Sequence, residues 1–360
     1  MPATASPVCV TGATGFVAGA IVQELLENGY TVRGTTRDPE RAWRQGYVTG
    51  LPGASERLEL RSADLMTPGA FDPVVEGCEY VIHVASPYVT DPDDPQRDLI
   101  DPAVNGTKSV LGACRSAGGV RRVVLTSSFA AITDEPDGRL LTEADWNTKS
   151  TLKRNPYYLS KTAAERAAWA FMEESSPGFD LVVINPPYVL GPSLSPELNT
   201  SARALVGLTN GVWPGILAIQ LVIADVRDVA LAHRLAMELP KVSGRYLTAA
   251  GVRSLRQVID LLEANGWGQR YKLPSIPLDN PFGNALVRIG ANLQKRGTGS
   301  YLKTHIGGEF RVDNSKARND LGIKFRDPDQ TVLDAMADLE RWGLLGRKSR
   351  SGGMRAAEPG

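Results

Sequence analysis

Charge of either sign is in no excess in this chain. Lys and Arg total 40 and Asp and Glu total 40 among 360 residues, so no net field gathers polyanions, and neither nucleic acid nor a membrane surface is an expected partner. Cysteine is sparse: Cys9, Cys78 and Cys114 are odd in number, far apart and set among apolar neighbours. Lacking C-x-x-C or similar spacing, they read as reduced core thiols, and no metal site is expected. No apolar stretch approaches the ~18 residues of a membrane span. The N-terminal residues lack a basic region followed by an apolar core, so a cytoplasmic location is expected. Histidine is also scarce, at 3; His83 has no carboxylate near it in sequence and reads as a packed structural residue, not a base.

What the chain does have is length enough for a full core and an alternation of apolar runs with amphipathic segments. Strands are predicted at Val8–Val10, Thr31–Thr35, Leu58–Arg61, Tyr80–Val84, Val123–Thr126 and Leu181–Ile184. Helices are predicted between them at Val17–Glu27, Leu99–Ala117 and Ala163–Glu174. That alternation implies an α/β class, a Rossmann-type doubly wound parallel sheet covered by helices on both faces. From about Pro186, proline and glycine become frequent and the helical patterns Val226–Glu238, Leu255–Ala264 and Val332–Trp342 are separated by long loops, which implies a smaller, mostly helical C-terminal lobe. The expected division is a nucleotide-binding domain over 1–187, completed by about 219–249, a substrate lobe over 188–218 and 250–346, and a flexible tail over 347–360.

The first apolar strand runs through Gly12-Ala13-Thr14-Gly15 straight into a helical pattern. Such a turn lets the backbone approach a pyrophosphate, and the following helix offers open N–H groups and the positive end of its dipole. The second strand ends in Thr35-Thr36-Arg37-Asp38, with Arg41 and Arg44 after it. An acidic side chain at a strand tip suits a ribose 2′-OH, whereas arginine suits a 2′-phosphate, so NADP(H) is favoured. The plainer reading makes these arginines a solvated helix face. Asp64 after the third strand either accepts from an adenine amino group or caps a turn, and Val84, Ala85 and Ser86 after the fourth either flank the cofactor or form a turn.

Chemistry-bearing residues follow the fifth strand. Tyr157 and Lys161 are four apart and share one face of a helix. An ammonium beside a phenol favours its ionisation, as proton transfer to a carbonyl oxygen requires. Ser128 is placed to hydrogen-bond the same oxygen, and Lys161 to hold ribose hydroxyls. Tyr88, Ala130, Tyr188 and Trp213, with Leu205, Pro214 and Ile216, are apolar candidates for lining a substrate pocket and equally for the core.

In their joint order these motifs resemble the extended short-chain dehydrogenase/reductases, and within them the dihydroflavonol reductase and cinnamoyl-CoA reductase group with its fungal aldehyde and ketone reductases. The residues carrying the resemblance include Val10 to Val17, Val32 to Pro39, Asp64-Leu65, His83 to Pro87, Thr126 to Ser128, Tyr157 to Thr162, Asn185 to Pro192, Asp225 to Ala230 and Asp313 to Lys316. The resemblance implies Ser128, Tyr157 and Lys161 as the catalytic group, Tyr157 donating the proton. It implies Gly12, Thr14, Gly15, Phe16 and Val17 at the pyrophosphate and adenosine side, Arg37 at the 2′-phosphate, and Asp64 and Leu65 at the adenine. Val84, Ala85 and Ser86, with Tyr157 and Lys161, would meet the nicotinamide ribose, and Pro186, Pro187 and Val189 the nicotinamide face. The implied activity is NADPH-dependent reduction of a small, hydrophobic or aromatic ketone or aldehyde by a monomer or homodimer. Three other readings stand beside it: an NAD-dependent 3β-hydroxysteroid-type dehydrogenase, a nucleotide-sugar epimerase, and a non-catalytic NADP(H)-sensing protein. Two departures stand out. The third glycine of the turn motif is Ala18, with Gly19 following. The Ser128 to Tyr157 segment is also shorter than in plant relatives, so their substrate preferences are not carried over.

Overall fold

The computed structural model describes residues 6–87 and 92–346. Its central sheet has seven strands: β1 (Val8–Val10), β2 (Val32–Thr36), β3 (Leu58–Ser62), β4 (Tyr80–His83), β5 (Arg122–Thr126), β6 (Asp180–Asn185) and β7 (Gly244–Leu247). They lie in the order β7-β6-β5-β4-β1-β2-β3, every pairing parallel. The order reverses between β1 and β4, which opens a crevice at the C-terminal ends of those strands.

The four main covering helices are α1 (Phe16–Glu27), α2 (Asp101–Ala117), α3 (Pro156–Ser175) and α4 (Val226–Glu238). Helices α1 and α4 pack together on one face of the sheet, and α2 and α3 on the other. The two-residue period of a strand is visible in β1. Val8 and Val10 join the cluster with α1 and α4, whereas Cys9 joins the opposite cluster with Cys78 and Cys114. All three thiols are buried, and burial raises their pKa values, that of Cys114 to about 12.

The predicted strands and helices all appear, Val8–Val10, Val226–Glu238 and Leu255–Ala264 with the predicted ends and the others with shifted ones. β4 stops at His83 because the next two N–H groups, of Val84 and Ala85, turn to the Thr11 hydroxyl. Helix α3 starts at Pro156, ahead of the amphipathic pattern that began at Ala163. The last helix starts at Pro328, capped by the Asp327 side chain. β7 had no counterpart among the predicted strands; Arg245 interrupts its apolar pattern, and its four residues are too few for a periodic signal.

Beyond the sheet, residues 188–190, 220–225 and 251–254 form a three-stranded sheet. Helices over 200–209, 255–264 and 328–341 pack on it around Leu205, Ile216, Leu262, Val332 and Met336. The last helix is tied to α4 by buried carboxylates. Asp225 accepts from Arg227 and from Thr331 Oγ1 (3.0 Å), and Asp228 accepts the Arg326 N–H at 2.7 Å.

Candidate active site

The glycine turn is held open by side-chain hydrogen bonds at its base. The Thr11 hydroxyl accepts the N–H groups of Val84 and Ala85, each at 2.9 Å, and lies 2.9 Å from His83 Nδ1. With both lone pairs occupied, its proton goes to Nδ1, and the imidazole keeps its own proton on Nε2. Burial, and secondarily the Lys161 charge, lower the His83 pKa to about 3. His83 is therefore a neutral strut between β1 and β4.

Gly12 has φ +68°, and a Cβ there would stand 3.2 Å from Ala85 Cβ. Its N–H donates to Thr35 Oγ1 at 3.0 Å, and that of Ala13 to the Thr35 carbonyl at 2.8 Å. Gly12 thus contributes shape, bringing the turn against the end of β4. Thr14 and Gly15 are exposed, and the first turn of α1 has neither a side-chain cap nor an acidic residue. An open helix start of this kind fits a pyrophosphate. β2 approaches equally closely: a Cβ on Gly34 would fall 2.6 Å from Ala13 Cβ.

The residues after β2 have separate tasks. Asp38 caps the helix Pro39–Gln45, its Oδ1 accepting the Arg41 N–H at 2.9 Å, so the carboxylate that resembled an NAD marker is committed to the chain. Arg41 pairs with Glu197 at 3.6 Å, and Arg44 lies exposed in the last turn of that helix. Arg37 is exposed and has no ion pair among the described residues. After β3, Asp64 Oδ1 accepts the Met66 N–H at 2.8 Å, the turn-capping role, and Leu65 packs against Gly106 of α2.

Ser128 follows β5, half-buried, and caps the short helical turn Phe129–Ala131 with its Oγ accepting the Ala130 N–H at 3.1 Å. That turn packs along α3. The Phe129 N–H donates to the Pro186 carbonyl at 2.9 Å and the Ser127 N–H to the Ile184 carbonyl at 2.8 Å, so Ser128 and Pro186 are brought side by side. Tyr157 and Lys161 occupy the first turns of α3, half-buried, with Lys161 Nζ 5.9 Å from the Tyr157 ring centre. Burial lowers the Lys161 pKa to about 8.

The start of α3 is fixed by Asn155, whose φ of 48° and ψ of 60° fall in the left-handed region immediately before a proline, where that conformation is disfavoured. Its side chain holds the strained geometry by donating to Thr304 Oγ1 at 3.0 Å and to the buried Asp134 at 3.3 Å, while its N–H donates to Ser300 Oγ at 3.0 Å.

The remaining candidates divide. Val189 is nearly buried in a small cluster with Ala224, Val226 and Val229 against Phe16 and Val17. Pro186 is buried and Pro187 half-buried. Tyr188 donates its hydroxyl to the Ser201 carbonyl at 3.0 Å, Trp213 its indole N–H to the Ala204 carbonyl at 3.1 Å, and both pack on the lobe core. Ala130, Leu205 and Ile216 are buried. Tyr88 lies outside the described residues. From sequence, Thr11, Thr35 and Asn185 stand out only as members of motifs, and Asn155, Glu165 and Arg245 were not foreseen. A signal existed for two of them: Glu165 repeats the four-residue spacing of Tyr157 and Lys161, and Arg245 is a lone charge in an apolar run.

A parallel sheet with a glycine turn at its order reversal, an open helix start beyond it, and tyrosine and lysine one helical turn apart define a dinucleotide-binding protein of the short-chain dehydrogenase/reductase type. The sequence pattern of the NAD dependent epimerase/dehydratase family matches residues 8–247, and the chain belongs to that family. Among its relatives are tetraketide alpha-pyrone reductase 1 of Arabidopsis thaliana, 37% identical over 94% of this chain and 96% of the relative, and cinnamoyl-CoA reductase 1 of Petunia hybrida, 42% identical over 94% and 93%. Among solved structures, that of yeast methylglyoxal/isovaleraldehyde reductase Gre2 complexed with NADPH matches with a TM-score of 0.77 and 30% identity, covering 94% of this chain and all of that one.

Proposed function

We propose that the chain is an NADPH-dependent carbonyl reductase acting on a hydrophobic or aromatic ketone or aldehyde. The carrying observation is the half-buried Tyr157–Lys161 pair on α3, beside a strand end that carries Ser128. The named relatives are reductases, and the Gre2 neighbour was solved with NADPH. The chain's residues fit that cofactor. Gly12 leaves the space a Cβ would fill, the first turn of α1 is open to the pyrophosphate, and Arg37 is a guanidinium without an ion partner among the described residues.

Bound NADPH would supply the hydride. The protein supplies orientation and the proton. Ser128, whose Oγ already accepts from Ala130, retains its hydroxyl proton to donate to the substrate oxygen. Tyr157 gives its hydroxyl proton to that oxygen as the carbon is reduced. With a pKa of about 8, Lys161 is still mostly protonated at neutral pH, and its charge stabilises the tyrosinate left behind. Pro186, Pro187, Val84, Ala85 and Ser86 wall the nicotinamide end. Tyr188 and Trp213 border the substrate, each with its polar end turned to a backbone carbonyl. The sheet half, 1–187 with about 219–249, holds the cofactor, and the rest of the described chain holds substrate.

The test is a spectrophotometric screen of NADPH and NADH oxidation against aldehydes, aryl ketones, keto esters, dihydroflavonols and acyl-CoA thioesters. NADPH consumption with at least one ketone or aldehyde is the expected result. Turnover of a nucleotide sugar without net consumption of added NADPH would replace the reductase with an epimerase.

A further inference from the structure

Glu165 stands on α3 one turn beyond Lys161 and two beyond Tyr157, on the same helix face, yet unlike them it is buried to 1% exposure. Four side chains from four segments converge on its carboxylate. Oε1 accepts Arg245 Nε at 2.6 Å and Trp169 Nε1 at 3.3 Å, and Oε2 accepts Ser127 Oγ at 2.5 Å and Asn185 Nδ2 at 2.8 Å. Arg245 is buried in turn, donating to the carbonyls of Glu143 and Asp145 at 2.7 and 2.5 Å, with its guanidinium 3.9 Å from the Trp146 ring centre. Asn185 continues the chain, since its Nδ2 also donates to the Ser128 carbonyl at 3.2 Å.

We infer that Glu165, paired with Arg245, is a positioning residue that sets Ser128 and the Pro186–Pro187 wall in register with Tyr157 and Lys161. The inference rests on the reading of Ser128 and Tyr157 as catalytic. Its physical basis is directional. A buried ion pair is a poor source of stability, because desolvation consumes most of the attraction and apolar packing of the same volume does as well. What apolar side chains lack is the power to fix the direction of several hydrogen bonds at once. Here those bonds run to the ends of β5 and β6 and to the middle of β7 from the helix that carries Tyr157. Ser127 is the neighbour of Ser128, and Asn185 is the neighbour of Pro186, so a shift at Glu165 is felt at the ends of both β5 and β6, on the side of the crevice that carries Tyr157. Misplacement of reacting groups by about 1 Å can cost on the order of a hundredfold in rate.

Glu165→Gln isolates this role. With its carbonyl oxygen kept toward Arg245 and Trp169, the new amide nitrogen meets Ser127 Oγ only with that bond reversed, donating where the carboxylate accepted, and it faces the Asn185 amide nitrogen, donor against donor. If Asn185 flips to meet it, the Asn185 oxygen confronts the Ser128 carbonyl. Either way the relay to Ser128 is lost while packing volume is kept. The expected result is a fall in kcat of about tenfold to a hundredfold, with the Kd for NADPH within about twofold of the parent. A larger primary isotope effect with NADPH deuterated at the transferred position should accompany it, as misaligned hydride transfer becomes more rate-limiting. Glu165→Asp should recover part of kcat. Asn185→Leu, which leaves the Glu165–Arg245 pair intact, should reproduce the kcat loss and the isotope effect, and it decides the matter if Glu165→Gln does not fold. Unchanged kcat and isotope effect in the folded variants, alongside an inactive Tyr157→Phe, would overturn the positioning role. An active Tyr157→Phe would overturn the catalytic reading beneath it, which separates the two failures.

Discussion

The two halves of the molecule bury polar groups for different ends. In the sheet half, Thr11, Thr35, His83, Ser127, Glu165, Asn185 and Arg245 are all buried; five of them lie at or next to the C-terminal ends of strands, and Arg245 reaches from within β7 to Glu165 on α3. Their hydrogen bonds go to turns and to one another, and they fix the backbone around a crevice. Where the second half meets α4, Asp225, Asp228, Thr331 and Asp338 are buried at the joins between helices. Their partners are Arg227, Arg326, Ser193 and Arg341, and they fasten the last helix to the rest. The first group shapes a site, whereas the second holds a scaffold. Substitutions in the two groups should therefore separate rate from stability.

The sharpest break in that contrast is Tyr157→Phe, which removes the proposed proton donor and should leave the fold alone. Carbonyl reduction should fall by about a thousandfold, with NADPH binding retained in a fluorescence titration. Asp225→Ala should do the reverse. It leaves Arg227 and Thr331 without their shared acceptor, at a cost of about 2–3 kcal/mol. Thermal unfolding should shift down while kcat of the folded fraction stays at the parental value; a matching loss of kcat would place Asp225 in the site after all.

Arg37→Ala probes the edge of the cofactor crevice. The KM for NADPH should rise by about tenfold or more, with that for NADH little changed, because only one of the two carries a 2′-phosphate; equal effects would make Arg37 a surface residue. The pH profile is the next test. Burial lowers the Lys161 pKa from 10.5 to about 8, so the ammonium is present at neutral pH and lost above pH 8. Reduction should slow by roughly tenfold between about pH 7.5 and 9.5, well below the range of a free lysine. Folding stability moves oppositely, since relieving a buried charge favours the folded state as pH rises through 8.

A pH effect on stability is shared by both halves. His83, His233 and His305 are buried, with pKa values lowered from 6.5 to about 3, 4 and 4. The unfolded chain binds protons that these residues refuse when folded, so stability falls as pH drops below about 6.5. Thermal scans at pH 5 should show a midpoint a few degrees below that at pH 7.5, and a flat profile would mean that the imidazoles accept protons within the fold.

Legibility in the sequence differed along the same divide. Strands β1, β4, β5 and β6 were visible because strands covered on both faces are nearly continuously apolar, as in Val8–Val10 and Leu181–Ile184. The glycine turn was visible because only glycine combines a positive φ with the approach to Ala85 seen at Gly12. The seventh strand was hidden by Arg245, whose charge is tolerable only beside Glu165, 80 residues away. Asn155 gave no local sign of strain either, since its conformation is held by Asp134, Ser300 and Thr304, brought in from distant parts of the chain.

By itself, then, the sequence determined the α/β class, the position of the glycine turn and the pairing of Tyr157 with Lys161, because each depends on periodicity or spacing within a few residues. Tertiary structure alone decided that Arg41 has an ion partner while Arg37 shows none among the described residues, and that Glu165 gathers side chains from three neighbouring strands. Those outcomes depend on which side chains meet across the fold, and hydrogen bonds and ion pairs act only at contact distance.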